Sequence, residues 1–230
     1  QEKAVVDEVA RIITSTLNID QVYEQFCAEM KKLVAFDRAV VATVDHSADT
    51  YVIRYRAGLV NPLRPLGQAV PLEGSIVQHL MTAREVLVRS DIARDLRFPM
   101  NDQPHVDMGL HSGIDIPLVS HGQFVGSMTL RSREQGAYGP REQRILEGLA
   151  AQIAPAVANS LLFQDVRRAA LALESIGDAV VFLDPKGRVQ FVNRAAEEMS
   201  GYTATEVQGK SILLITPAGN RTRTRGREML

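Results

Sequence analysis

The residues of this chain that could do chemistry are a set of scattered histidines, one cysteine and a charged loop. Histidine can ligate a metal, hold a haem or move a proton near neutral pH. His79, His105, His111 and His121 fall in separate segments, with none of the close Cys/His spacing of a metal site. No metal ligand set is predicted, and each histidine reads as a hydrogen-bonding side chain. Cys27 is the only cysteine, so no internal disulfide can form. There is no Gly-rich phosphate loop, no Gly-x-Ser-x-Gly elbow and no Cys/His pair at catalytic spacing. No catalytic residue is predicted, and the chain is not expected to be an enzyme.

What remains is residues 90–112, SDIARDLRFPMNDQPHVDMGLHS. This segment shows no clean helical or strand period and contains two prolines. A long irregular stretch inside a compact domain is usually a functional loop or a disordered one. Asp91, Asp95, Asp102 and Asp107, with Arg94 and Arg97, make it polar. One reading is a solvated surface loop. The other turns some of these side chains inward to orient a small polar ligand. On that second reading the pocket wall is Asp91, Arg97, Phe98, His105, Met108, His111 and Ser112.

Regular elements must position this loop. Apolar residues at Val5, Val6, Val9, Ile12 and Ile13 predict a helix over residues 1–16. Asn18 fits an N-cap, with Gln21 at N3, opening a second helix that buries Val22, Phe26, Met30 and Leu33 beside Cys27. Residues 38–44, RAVVATV, are apolar on both faces, as a covered central strand would be. Residues 51–56 alternate Tyr51, Ile53 and Tyr55 with polar positions, predicting a half-exposed strand. A short helix is predicted at 75–83 and a strand at 86–88. A hairpin follows at 114–119 and 124–131, turning at His121-Gly122. A long helix starts at Pro140, carries Ile145, Leu149, Ile153 and Val157 on one side, and runs to about 173 with a kink expected at Pro155.

Bulk properties exclude several partners. A chain of 230 residues with 45% hydrophobic residues suits one large or two small domains. A net charge of -1 gives no general attraction to nucleic acid or anionic membrane. Arg221, Arg223, Arg225 and Arg227 read as a solvated basic tail over 218–230, expected to be disordered, since no aromatic residue is interleaved. No signal peptide and no membrane span is predicted, and the single thiol fits a reducing cytoplasm.

Residues 17–162 resemble a GAF domain. The resemblance rests on FDRAVVATV at 36–44, GLHSGIDIPLVSHGQFVGSMTLRS at 109–132 and YGPREQRILEGLAAQIAPAVANS at 138–160. It implies a central antiparallel sheet, terminal helices on one face and a ligand pocket on the other, with 90–112 as the pocket wall. The Asn-Lys, Phe and Asp-Glu signature of cyclic-nucleotide-binding relatives is absent. Cys27 is in the wrong element for a covalent bilin, which is not expected; nor is a haem, and the cofactor stays unassigned. Asp115-Ile116-Pro117 resembles a phytochrome motif but lies inside the hairpin strand. Some GAF-fold proteins reduce methionine sulfoxide, a chemistry that relies on several cysteines.

Residues 173–217 resemble the front half of a PAS domain. SIGDAVVFLD, VNRAAEEMSGY and EVQGKS carry the likeness. Asp184 to Gly187 predicts a type I turn between two strands, Asn193 a helix cap, and Thr203 with Glu206 a capping box. The expected whole is an α+β chain: a GAF-type antiparallel sheet with helices, joined by a long helix (140–173) to a truncated PAS-type fragment. The implied role is a sensory fragment of a bacterial-type signalling protein, such as a histidine kinase or a cyclic-di-GMP enzyme. An unidentified small-molecule ligand and a homodimer through the terminal helices are expected, the seam built from Val5, Val9, Ile12, Leu149, Ile153 and Val157. A ligand-free dimer scaffold is the alternative.

Overall fold

The computed structural model describes residues 19–214. The expected helix over 1–16, with Val5, Val9 and Ile12, lies outside the described residues, as do Asn18 and the basic tail. The chain divides into two compact units, Gln1–Leu161 and Leu162–Leu230.

The first unit is built on a six-stranded antiparallel sheet in the order β3-β2-β1-β6-β5-β4. Its strands are β1 (Arg38–Asp45), β2 (Thr50–Gly58), β3 (Ala69–Pro71), β4 (Leu87–Arg89), β5 (Ser112–Ser120) and β6 (Gln123–Ser132). Its helices are α1 (Ile19–Leu33), α2 (Ile76–Ala83), α3 (Pro99–Asp107) and the start of α4 (Pro140–Ser175). β1 lies between β2 and β6, which is why its sequence is apolar on both faces. His121 and Gly122 both take positive φ, 48° and 76°, the backbone that a two-residue hairpin turn requires.

One face of the sheet is covered by α1 and α4. Tyr23, Phe26, Cys27 and Met30 from α1 meet Leu146, Leu149, Ile153 and Val157 from α4 over Ala39, Val41, Ile114, Ile116, Met128 and Leu130. Each such fully buried large side chain contributes about 1.5–3 kcal/mol. This corrects the expected dimer seam. Leu149, Ile153 and Val157 are fully buried inside their own chain, so they have no apolar surface left for a partner. The apolar stripe read in the sequence is real, but the chain's own sheet covers it.

Two further expectations change. The 90–112 segment contains a regular helix, α3. Its sequence hides it, since Pro99 and Pro104 both fall within it and its apolar residues form no stripe. Tyr51, Ile53 and Tyr55 do not share a face. Val41 pairs with Tyr55 while the next residue, Ala42, pairs with Ile53, so Arg54 is the extra residue of a bulge. Tyr55 therefore packs with the helix-covered core, and Tyr51 and Ile53 with the opposite one.

The second unit holds the remainder of α4, β7 (Val181–Leu183), β8 (Val189–Val192), α5 (Arg194–Ser200) and α6 (Ala204–Val207). Gly187 takes φ 74° in the predicted turn, and Thr203 with Glu206 forms the predicted capping box. Asn193 does more than cap α5. Its Oδ1 accepts from Val180 N at 2.8 Å and Ala196 N at 3.0 Å, and its Nδ2 donates towards the carbonyls of Leu173, Ile176 and Asp178. One buried amide thus ties the end of α4 to both strands and the helix that follows. The small core is Val189, Val192, Ala196 and Val207, while Phe182 and Leu183 stay exposed.

By length and composition α4 could cross a membrane, which sequence reading did not flag. Its first half is nevertheless committed to the sheet core through Leu146, Leu149, Ile153 and Val157.

Candidate functional site

The sheet face away from α1 and α4 carries charge. Cross-strand register sets Arg38 opposite Arg131, Arg131 opposite Gly113, and Gly113 opposite Arg89. Paired residues point to the same side, so three arginines lie in one row over four strands. All three are buried, at 2%, 1% and 2% exposure. In the adjoining row Asp115 stands opposite Thr129 and Leu87. Gly113 makes the row possible: a Cβ there would meet Arg131 Nη1 at 2.7 Å.

Two buried carboxylates answer two of these cations. Arg131 Nη2 donates to Asp115 Oδ1 at 2.7 Å, and Arg89 Nη2 reaches Asp115 Oδ2 at 3.5 Å. Arg89 Nη1 donates to Asp102 Oδ2 at 2.8 Å, and the same oxygen accepts from Phe98 N at 2.9 Å. The chain Arg131–Asp115–Arg89–Asp102 is electrically neutral. Arg38 stands outside it. Its Nη1 donates to the Leu59 carbonyl, and no carboxylate pairs with it among the described residues. Burial, with Arg56 and Arg131 nearby, pulls its pKa down to about 10, which still leaves it charged at neutral pH.

A cavity of about 40 Å³ opens beside Arg38. β1, β2 and β6 form its floor through Arg38, Tyr51, Ser127 and Arg131. α2 and α3 form its walls, and Asn61 and Arg64 on the β2–β3 loop close it. Arg64 Nη2 donates to the Met100 carbonyl at 3.3 Å, linking that loop to α3. Asn101 holds the wall in place, accepting from Ile76 N and donating to the Tyr51 hydroxyl. Among the described residues no Asp or Glu lines the cavity. Four side-chain atoms of lining residues are buried without a hydrogen-bond partner: Arg38 Nε, Arg131 Nε, His105 Nδ1 and Ser127 Oγ. Burial lowers the His105 pKa well below its ordinary value, and Arg131, Arg38, Arg89 and Arg64 lower it further. The imidazole is neutral in this setting.

Of the seven side chains expected in the pocket wall, His105 alone lines the cavity. Phe98 is buried against His79 and under the Arg89 guanidinium. Asp91, in the β4–α3 loop, accepts from Ala93 N and from Gln135 Nε2 of the β6–α4 loop. Arg97 is exposed and forks onto Asp95 at 2.7 Å. Met108 follows the end of α3, and the His111 backbone links Ile92 to Ser132. Ser112 Oγ donates to the Glu134 carbonyl. Among the described residues no group of three or more His, Cys, Asp or Glu is placed to hold a metal. The Cys27 thiol is buried and its pKa pushed up to about 12, so it is not a thiolate at neutral pH.

Sequence reasoning missed Arg38, Arg89, Arg131 and Asp115. The available signal was a charged residue inside an otherwise apolar strand run, as in RAVVATV, GIDIPL and MTLRS.

The GAF domain family matches residues 18–157, more than half the chain. The chain belongs to the GAF family. The PAS fold matches residues 167–225 after it, running past the expected boundary at 217. The GAF domain is similar in fold to that of an Acinetobacter phosphoenolpyruvate-protein phosphotransferase, at TM-score 0.61 and 14% identity, covering 70% of this chain and 94% of that one. It is similar to the GAF domain of a two-component sensor histidine kinase from Bacillus halodurans, at TM-score 0.58 and 20% identity, covering 65% and 99%. It also resembles a free methionine-R-sulfoxide reductase from Neisseria meningitidis, at TM-score 0.57 and 15% identity, covering 70% and 90%. At these identities the likeness speaks for the fold alone. Over 57 residues the chain is 42% identical to "Probable diguanylate cyclase DgcE" of Escherichia coli (strain K12), a match that covers 25% of this chain and 5% of the cyclase. A GAF domain followed by a PAS domain is a sensory, regulatory arrangement rather than a catalytic one.

Proposed function

We propose that this chain is the sensory part of a larger cytoplasmic signal-transduction protein, in which the GAF domain binds a small polar molecule. The supporting observation is the cavity beside Arg38, whose lining residues keep four buried polar atoms unpaired. Leaving such groups unsatisfied costs about 1–3 kcal/mol each, a cost that a bound ligand removes. The proposed modules are the GAF domain over 17–162, the linker helix over 140–173 and PAS over 173–217. Occupancy would bias the packing of α4 in the sheet core, and the helix would pass that bias to an output domain. A histidine kinase or a cyclic-di-GMP enzyme is the proposed class of output. Native mass spectrometry of the purified chain tests the ligand reading. A co-purified small molecule, lost on denaturation, supports it. A clean apo mass, together with no melting-temperature change across a library of polar metabolites, overturns it.

A second reading, a dimer scaffold, is favoured by a different observation. Leu162, Phe163 and Val166, which share one side of α4, are 65–69% exposed. An apolar stripe of this kind on a long helix suits a second copy of the same helix.

A further inference from the structure

Resting on the reading that the GAF cavity holds a small molecule, we infer that its ligand is a small, singly charged oxyanion of three or four heavy atoms, held by Arg38. Four observations converge. The buried network Arg131–Asp115–Arg89–Asp102 is neutral by itself, so among the described residues the one uncompensated buried charge is Arg38. One positive charge matches one negative charge. Next, the lining holds Arg38, Arg64, Arg131 and His105 with no carboxylate, which makes a cationic ligand unfavourable.

The unpaired atoms are mostly donors. Arg38 Nε and Arg131 Nε can only donate, and Ser127 Oγ and the His105 ring can donate. A carboxylate or nitrate-like group offers acceptor oxygens to match, and guanidinium groups suit its planar geometry. Size completes the case. A cavity of about 40 Å³ takes about three waters, enough for formate, bicarbonate, nitrate or acetate and too small for a nucleotide or a tetrapyrrole.

The test is thermal melting and calorimetry of the full chain with sodium formate, nitrate, acetate, benzoate, sulfate and phosphate, each against chloride at equal ionic strength. Formate, nitrate or acetate should raise the melting temperature saturably, while benzoate, sulfate and phosphate act no differently from chloride. Arg38→Met should weaken that binding about tenfold or more, the loss expected for a charge-assisted hydrogen bond. Arg64→Met, at the half-buried rim, provides a second variant that should also weaken binding should Arg38→Met fail to fold. The inference is overturned where none of the small monovalent anions gives a saturable shift, or where wild type and both variants shift equally. A neutral or cationic molecule recovered by native mass spectrometry, and displaced by Arg38→Met, would sink the anion inference and leave small-molecule sensing standing. No anion response and no co-purified molecule would remove both.

Discussion

The two faces of the GAF sheet are made by the same strands and both bury apolar residues, but only one also buries a row of charges. On one, Ala39, Val41, Ile114, Ile116, Met128 and Leu130 pack dry against α1 and α4. On the other, one residue along each strand, lie Arg38, Asp115 and Arg131. Alternation with period two delivers both faces from one stretch of chain. The helix-covered face needs nothing but apolar volume. The other face sets Arg38 directly opposite Arg131, a like-charge pairing that weakens a sheet. A fold does not need that arrangement, and buried charge is weak evidence of stability. Where local rules are broken at such cost, function is the usual reason.

Several substitutions can break this contrast. The largest effect belongs to the dry face. Ile153→Asp places a charge where exposure is 0%, and should cost about 4 kcal/mol or more, seen as loss of the cooperative thermal transition. A folded Ile153→Asp chain with wild-type melting would show that α4 is not seated in the core. On the charged face, Asp115→Asn leaves Arg131 and Arg89 facing each other without their shared carboxylate. That should cost about 3–5 kcal/mol in denaturant unfolding, since breaking a buried pair exceeds the loss of the pair itself.

Acid should weaken the charged face selectively. Arg38 on β1, Arg131 on β6, Arg89 on β4 and Arg64 on the β2–β3 loop all oppose protonation of His105. The unfolded chain takes up this proton near pH 6.5, and the folded cavity refuses it. Stability is then fully present above about pH 6.5 and falls below it, by up to about 1.4 kcal/mol per pH unit. His105→Gln should flatten that part of the pH profile; an unchanged profile would mean the imidazole titrates freely.

The smallest effect on the fold should come from Phe163→Ser, 69% exposed on α4. Thermal stability at low concentration should change by less than about 0.5 kcal/mol. Light scattering at high concentration should instead report weaker self-association, and equal association in both forms would remove the scaffold reading.

The scaffold was far more legible than the site. Residues 38–44 announced a covered central strand, and the His121-Gly122 turn fixed the hairpin register. In α4 the apolar side was read correctly, but its partner was not. Leu149, Ile153 and Val157 look alike in sequence whether a second chain or their own sheet covers them. β3 is three residues long and offers no period to read. α3 was hidden by its prolines and its lack of an apolar stripe. The site was lost for a different reason: polarity was sought in the loop, whereas the buried charges sit within strands. Arg38 shares a face with Val40 and Ala42 by simple alternation. That it meets Arg131, and that Arg131 has Asp115 and it does not, depends on cross-strand register, which one sequence does not carry.

Denaturant unfolding of Arg38→Met, measured without added anions beside Asp115→Asn, tests most directly whether the charged face is kept for binding. A cation retained for a ligand predicts that Arg38→Met is as stable as wild type, or more stable, because an unpaired buried charge has been removed. A loss near the 3–5 kcal/mol range of Asp115→Asn, about that of a broken ion pair, would show that Arg38 holds the fold together and would contradict a binding role.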